Sequence, residues 1–288
     1  MRIDLHTHSR ASDGTDAPAG VVAAAAAAGL DVVALTDHDT TSGWAAAAAA
    51  LDALARPLVL VPGMELSCEH EGTSLHLLAY LADPAHPALA AAVARVREDR
   101  VPRARAMVES LAAAGLPVTW EAVLARAAGG TVGRPHLADA LVDAGAVRDR
   151  DEAFAGPLST RSPHFVRHAT LPALEAVRLV VAAGGVPVLA HPRAGRRGRT
   201  VDDAAVAAMA REGLAGLEVD HRDHEPAERA HLRGLAADLG LLTTGSSDYH
   251  GTGKRNRIGE ETTPPEAYEA LLDRATGAVR PLTAGAAA

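Results

Sequence analysis

The chain has 288 residues, 48% of them hydrophobic but only 2% aromatic, and a formal net charge of −8. That apolar content supports a sizeable core in one large domain or a domain with an insertion, while the acidic balance excludes nonspecific coating of long nucleic acid, which rests on many Lys/Arg–phosphate contacts. A single cysteine, Cys68, excludes an intrachain disulfide and no apolar stretch is long enough to span a bilayer, so a soluble cytoplasmic protein is expected.

The first apolar run, RIDLHTH, ends in His6 and His8 at alternate positions, which a strand sends to one face. Asp13 follows in the next loop. Ala-rich stretches around 18–29 and 42–55 read as helices, since alanine is the strongest helix former. Between them DVVALTDHD ends in His38, flanked by Asp37 and Asp39, and after them come PLVLVPGMELS with Glu65 and SLHLLAYL with His76. Residues 85–168 break this rhythm: they hold helical patterns and no convincing strand, and read as a helical insertion on a body formed by 1–84 and 169–288. Helical patterns over 171–183, 201–212 and 225–239 then alternate with VPVLAHP, which carries His191, AGLEVDH, and LLTTGSSDYH, which ends in Asp248 and His250. Gly and Pro mark the joins. Strand–helix repetition predicts a parallel α/β architecture, and seven strands fit a (β/α) barrel better than a two-layer sandwich.

In a parallel barrel the site is built from the C-terminal ends of the strands and their loops. His6, His8, Asp13, His38, Glu65, His76, His191, Asp248 and His250 all fall there. Each alone has an ordinary explanation as a polar strand end. Together they do not, because burying so many ionisable groups at one pole without a cation is very costly. The excess of 14 histidines over three tyrosines and two phenylalanines points the same way. Nitrogen and oxygen ligands without a thiolate suit Mn, Fe or Zn. They exceed what one ion uses, so two or three divalent metal ions are expected, with Glu65 as the natural bridging carboxylate.

The series DLHTHSRASDG, LTDHDT, GMELS, HLLAY, LAHP and SSDYH resembles the motifs of the PHP (polymerase and histidinol phosphatase) family over almost the whole chain. The resemblance implies a distorted (β/α)7 barrel with a trinuclear metal centre, manganese foremost. Carried over by motif, His6, His8, Glu65 and Asp248 would hold one ion, Asp13, His38 and His250 a second, and Glu65, His76 and His191 a third. Some relatives place histidine where this chain has Asp13. The insertion and length resemble the subgroup of 3′,5′-nucleoside bisphosphate phosphatases and short-RNA 5′-exonucleases. An amidohydrolase barrel also opens with HxH but usually needs a mid-barrel lysine, and the one lysine here, Lys254, follows the last ligand pair.

Two basic loops follow ligands: Arg193, Arg196, Arg197 and Arg199 after His191, and Lys254, Arg255 and Arg257 after His250. As a positive collar they favour a polyanion with a second phosphate. The resemblance adds Arg134 and His136 from the insertion as phosphate ligands, and His224 as a phosphate ligand or the acid for the leaving group. His221 precedes it; His70, His86, His164, His168 and His231 receive no role. The expected activity is phosphomonoester hydrolysis of a small phosphorylated nucleotide by a metal-bound hydroxide. The alternatives are a 5′-to-3′ exonuclease on short oligonucleotides, a histidinol-phosphate-type phosphatase, or an idle metal- or nucleotide-binding regulator.

Overall fold

The structure, a computed structural model, describes residues 1–195 and 198–285. Its strands are β1 (Ile3–Asp4), β2 (Val32–Leu35), β3 (Val59–His70), β4 (Thr73–Tyr80), β5 (Leu171–Pro172), β6 (Val186–Ala190), β7 (Gly216–Asp220) and β8 (Leu242–Gly245). The helices are α1 (Pro18–Ala27), α2 (Trp44–Leu51), α3 (Pro87–Ala113), α4 (Trp120–Ala127), α5 (Arg134–Asp143), α6 (Arg150–Ala155), α7 (Ala173–Ala182), α8 (Asp203–Arg211), α9 (Pro226–Leu239) and α10 (Pro265–Arg274). The sheet runs β1-β2-β3-β4-β6-β7-β8, with β5 alongside β3. Beyond its ends the His8 N–H donates to Tyr249 O at 2.8 Å, and Asp4 accepts from Ser247 N at 3.0 Å and Gly259 N at 2.8 Å. These bonds bring the first and last strands together into a nearly closed, barrel-like sheet of seven strands.

The all-parallel expectation fails at one strand. β4 is antiparallel to both β3 and β6. The cause is local: Glu71 and Gly72 form a two-residue turn with φ of 48° and 74°, the left-handed pair of a type I′ hairpin, which reverses the chain at once. A parallel return would need a crossover of a dozen or more residues. His76 therefore enters the site from the first half of its strand, opposite Ser67 and Ala190, and not from a C-terminal end. Two further elements went unforeseen, the short β5 and the helix α10, whose Tyr268 and Leu271 pack on Ile3, Val61 and Val188.

Helices α3–α6 share a core of their own, including Met107, Leu111, Val123, Leu137, Leu141 and Leu158. The first half of α3 belongs elsewhere. Leu89, Ala92 and Val96 pack with Val177 and Val180 of α7 against the sheet. Between the halves lie buried Arg100 and Arg103 and, inside the helix, Pro102, which forfeits one backbone hydrogen bond. Leu141→Ala, at a fully buried position of the second core, is expected to lower the unfolding free energy by about 2–5 kcal/mol in a urea titration.

Candidate metal centre

Alternation along the first strand's continuation points His6 and His8 inward, while Thr7 turns to hydrogen-bond Ala34 O and Thr36. Asp13 sits on a loop held by Asp37, which accepts from Ser9 N at 2.8 Å, Ser9 Oγ at 2.7 Å and Ser12 Oγ at 2.7 Å. Gly14 follows it because a Cβ there would lie 2.4 Å from His8 O. His38 and Glu65 are paired as backbone bridge partners. His191 and Asp248 both have left-handed backbone, with φ of 29° and 53°. That conformation is uncommon for a residue with a Cβ and concentrates at functional sites.

The nine side chains expected to meet do meet, around Glu65. Its Oε1 lies 2.8 Å from His76 Nδ1 and 3.2 Å from His191 Nε2. Its Oε2 lies 3.2 Å from His6 Nε2, 3.1 Å from His8 Nε2 and 3.2 Å from His38 Nδ1. Asp248 Oδ1 is within 3.5 Å of His6, His8 and His250, and Asp13 is 3.3 Å from His250 Nε2. Among the described residues, four groups have ligand atoms close enough for one ion: His8, Asp13, His38 and His250; His6, His8 and Asp248; His6, Glu65 and His191; His38, Glu65 and His76. His8 thus also joins the Asp13 group, which the motif-based division left to three residues.

Do these residues fit a metal? Both ring nitrogens of His8, and His6 Nε2, His38 Nδ1 and His250 Nε2, are buried without a hydrogen bond of acceptable geometry. A buried polar atom left this way costs about 1–3 kcal/mol. Imidazole nitrogens and carboxylates converging without a thiolate are a divalent-cation donor set, so they fit. Cys68 takes no part: it is buried in the apolar core, which pushes its thiol well above the usual range.

Electrostatics make the histidines unequal. Burial works against a charged His6, but Glu65, Glu218 and Asp248 outweigh it and raise the ring well above its ordinary value. Burial likewise opposes a charged His8, yet Asp248 and Glu65 carry it up to about 9. Burial prevails at His38, which falls to about 3, and at His250, which falls to about 4 with Lys254 adding to the effect. Glu65 itself, despite burial, is held well below the carboxylate range by the imidazoles around it.

Several contributors were not legible as such in the sequence. Glu218 on β7, the strand without an assigned ligand, accepts from His6 Nδ1 at 2.9 Å and from the His191 N–H at 2.8 Å. It thereby fixes the His6 tautomer with Nε2 facing the centre. A charged residue inside the apolar run AGLEVD was the available signal. His221 faces the centre, with Nε2 3.6 Å from Asp248 Oδ2.

His224 does not present a free nitrogen. Its Nδ1 donates to Val219 O at 2.9 Å and its Nε2 accepts from the Arg193 N–H at 3.1 Å, so in this arrangement it has no ring nitrogen for a phosphate or a leaving group.

Of the two basic loops, the structure brings Lys254 to the centre, with Nζ 3.0 Å from Asp248 Oδ2. The Arg193 guanidinium turns away to Asp203 on α8. Arg255 and Arg257 are exposed, near Asp151 at 3.6 Å and Glu260 at 3.6 Å. Arg199 is exposed, and Arg196 and Arg197 lie outside the described residues. Arg134 stands over the rings of Phe154 and Phe165 and donates to Leu158 O at 3.1 Å. His136 is buried, its Nδ1 accepting from Gly133 N at 3.0 Å, which directs any proton to Nε2.

Because a ligating imidazole must be neutral, metal uptake displaces the protons that His6 and His8 hold. The sign follows from His8: below about 9 its metal-free ring is charged, so metal affinity rises with pH up to that value. Calorimetric manganese titrations in buffers of different ionisation enthalpy are expected to show proton release and a gain of about tenfold per pH unit for each proton displaced.

The PHP domain model matches residues 4–100. The chain is 38% identical to a 3′,5′-nucleoside bisphosphate phosphatase from Chromobacterium violaceum over 91% of its own length and 93% of that protein's. It is 33% identical to the 5′-3′ exoribonuclease Rnm of Salmonella typhimurium, covering 86% and 84% of the two chains. A crystal structure from Bifidobacterium adolescentis, solved as a candidate metal-dependent phosphoesterase, superposes with a TM-score of 0.91 at 39% identity, covering 96% of this chain and 97% of that one. With the histidine–carboxylate centre in place, these likenesses show that the chain belongs to the PHP family and is a metal-dependent hydrolase of phosphoric esters.

Proposed function

We propose that the protein hydrolyses a phosphomonoester of a small nucleotide carrying two phosphates, of the nucleoside 3′,5′-bisphosphate type. The observation that carries this reading is the charge of the site. Four carboxylates, those of Asp13, Glu65, Asp248 and, behind His6, Glu218, lie at the centre with the Lys254 ammonium, so two or three divalent cations held there would leave the loaded centre net positive by roughly one to three charges. Such a centre favours a polyanion. The likeness to the C. violaceum phosphatase supports the same substrate class.

In this reading His6, His8, Asp13, His38, Glu65, His76, His191, Asp248 and His250 hold the ions, manganese foremost, with iron or zinc as alternatives. Bound there, divalent cations lower the pKa of water and offset phosphoryl charge. Glu65 belongs to two of the candidate groups and would contribute to both. Glu218 keeps His6 and the His191 backbone aimed. Lys254 supplies a compact cation at the edge of the centre, and we assign contact with a second phosphate to Arg134 and His136 of residues 85–168, a segment we read as an insertion domain covering a site formed by 1–84 and 169–288.

No helix among the described residues is long and apolar enough to cross a membrane. The lone, buried Cys68 agrees with a reducing compartment, and we place the enzyme in the cytoplasm. A second reading, 5′-to-3′ exonuclease action on short oligonucleotides, rests on the likeness to Rnm and uses the same centre.

Manganese-loaded protein is expected to release phosphate from a nucleoside 3′,5′-bisphosphate faster than from a nucleoside monophosphate or a 5′-phosphorylated oligomer. Lys254→Met should raise KM for the bisphosphate more than it lowers kcat, by about 10–100-fold, the scale of a lost contact to a charged group. Equal turnover of the monophosphate contradicts the two-phosphate reading, and faster release of mononucleotides from the oligomer favours the exonuclease.

A further inference from the structure

Helices α3–α6 grip the metal-bearing end of the barrel at three loops. The Thr131 N–H, between α4 and α5, donates to Ala11 O at 3.0 Å on the loop from His8 to Asp13. The approach is so close that a Cβ on Gly130 would meet Arg10 O at 2.2 Å. Arg100, buried on α3, pairs with Asp39, next to His38, and donates to Ser67 Oγ at 3.0 Å. Arg150, at the start of α6, makes a two-pronged pair with Asp139 of α5, 2.6 Å at each prong. Its Nη1 then donates to Gly253 O at 3.1 Å, on the loop that follows His250.

Those three loops carry Asp13, His38 and His250, which with His8 make up one of the candidate ion positions. The remaining ligands are held from within the barrel. Glu218 supports His6 and His191, and the Thr36 and Asp37 carbonyls accept from the Glu65 N–H at 3.1 and 3.3 Å.

We infer that the helical segment is coupled to one cation position, that of His8, Asp13, His38 and His250. Docked helices order the three loops and so set the affinity of that position. By linkage, a cation bound there holds the helices down to the same extent. This rests on the ligand assignment proposed above. Arg150 is a positioning residue in this scheme, acting on His250 through the Gly253 carbonyl.

The test is a manganese titration of the full chain, followed by calorimetry and elemental analysis, with hydrogen–deuterium exchange in the presence and absence of manganese. The variants are Arg150→Ala, Asp139→Asn and, as a control, Arg126→Ala, whose pair with Asp143 joins α4 to α5 at the surface. Arg150→Ala should weaken one ion position by about 10–100-fold, the usual scale for loss of a group that supports a ligand, and leave the others as in wild type. Manganese should slow exchange across α5 and α6 in wild type and in Arg126→Ala but not in Arg150→Ala, with Asp139→Asn between them. The coupling is overturned if Arg150→Ala binds every ion with wild-type affinity, loses all of them together, or shows the same manganese-dependent protection as wild type. Wild-type protein that binds no manganese overturns the ligand assignment itself, a result distinct from these.

Discussion

One buried carboxylate, Glu65, is touched by five imidazoles, and the rest of the site is arranged around that crowding. Neighbouring rings stand close, His8 and His250 at 4.0 Å between centroids and His8 and His38 at 4.7 Å. Two unit charges at about 4 Å repel by about 4 kcal/mol at an effective dielectric of 20. The rings therefore cannot all be protonated, and Glu65 alone cannot satisfy them all when neutral. The structure meets this conflict by dividing the rings, with His6 and His8 raised and His38 and His250 lowered. Divalent cations resolve it outright, because each accepts several neutral nitrogens and gives the carboxylates a counter-charge.

Around that core, polar groups are used to aim other polar groups. Glu218 sets the tautomer of His6 and the backbone of His191, Asp37 fixes the loop of Asp13, and Asp39 accepts from Ser67 and Arg100. Left-handed backbone at Asp39, His191 and Asp248 is strain that only such fixed partners sustain. The barrel holds the loops of the centre from one direction and the helices α3–α6 hold them from another, through Thr131, Arg100 and Arg150.

The nine side chains that meet around Glu65 were legible in the sequence because a strand's two-residue period makes HTH and DYH converge, and because each of the nine closes or interrupts a recognisable apolar run or follows it in the next loop. The strand direction of β4 was not legible from alternation, which is the same for parallel and antiparallel pairs; the Glu71–Gly72 turn carried that information. Glu218 was legible only as a charged residue inside an apolar run, and GLEVD does not say which group it buries against; the structure puts it beneath His6. His221 and His224 are separated by a tight turn after β7 whose course decides which ring faces the centre. The basic collar was read too broadly for a related reason: composition counts Arg193, Arg255 and Arg257 as cations near the site and does not show that each turns to a carboxylate, Asp203 on α8, Asp151 on α6, and Glu260 three residues after Arg257.

The most direct measurement is anomalous diffraction from crystals of manganese-loaded protein at the metal absorption edge. The account predicts two or three peaks within bonding distance of the nine side chains, with at least two of them sharing Glu65. A map without peaks there, showing Glu65 and its five histidines satisfied by one another or by water alone, would contradict it.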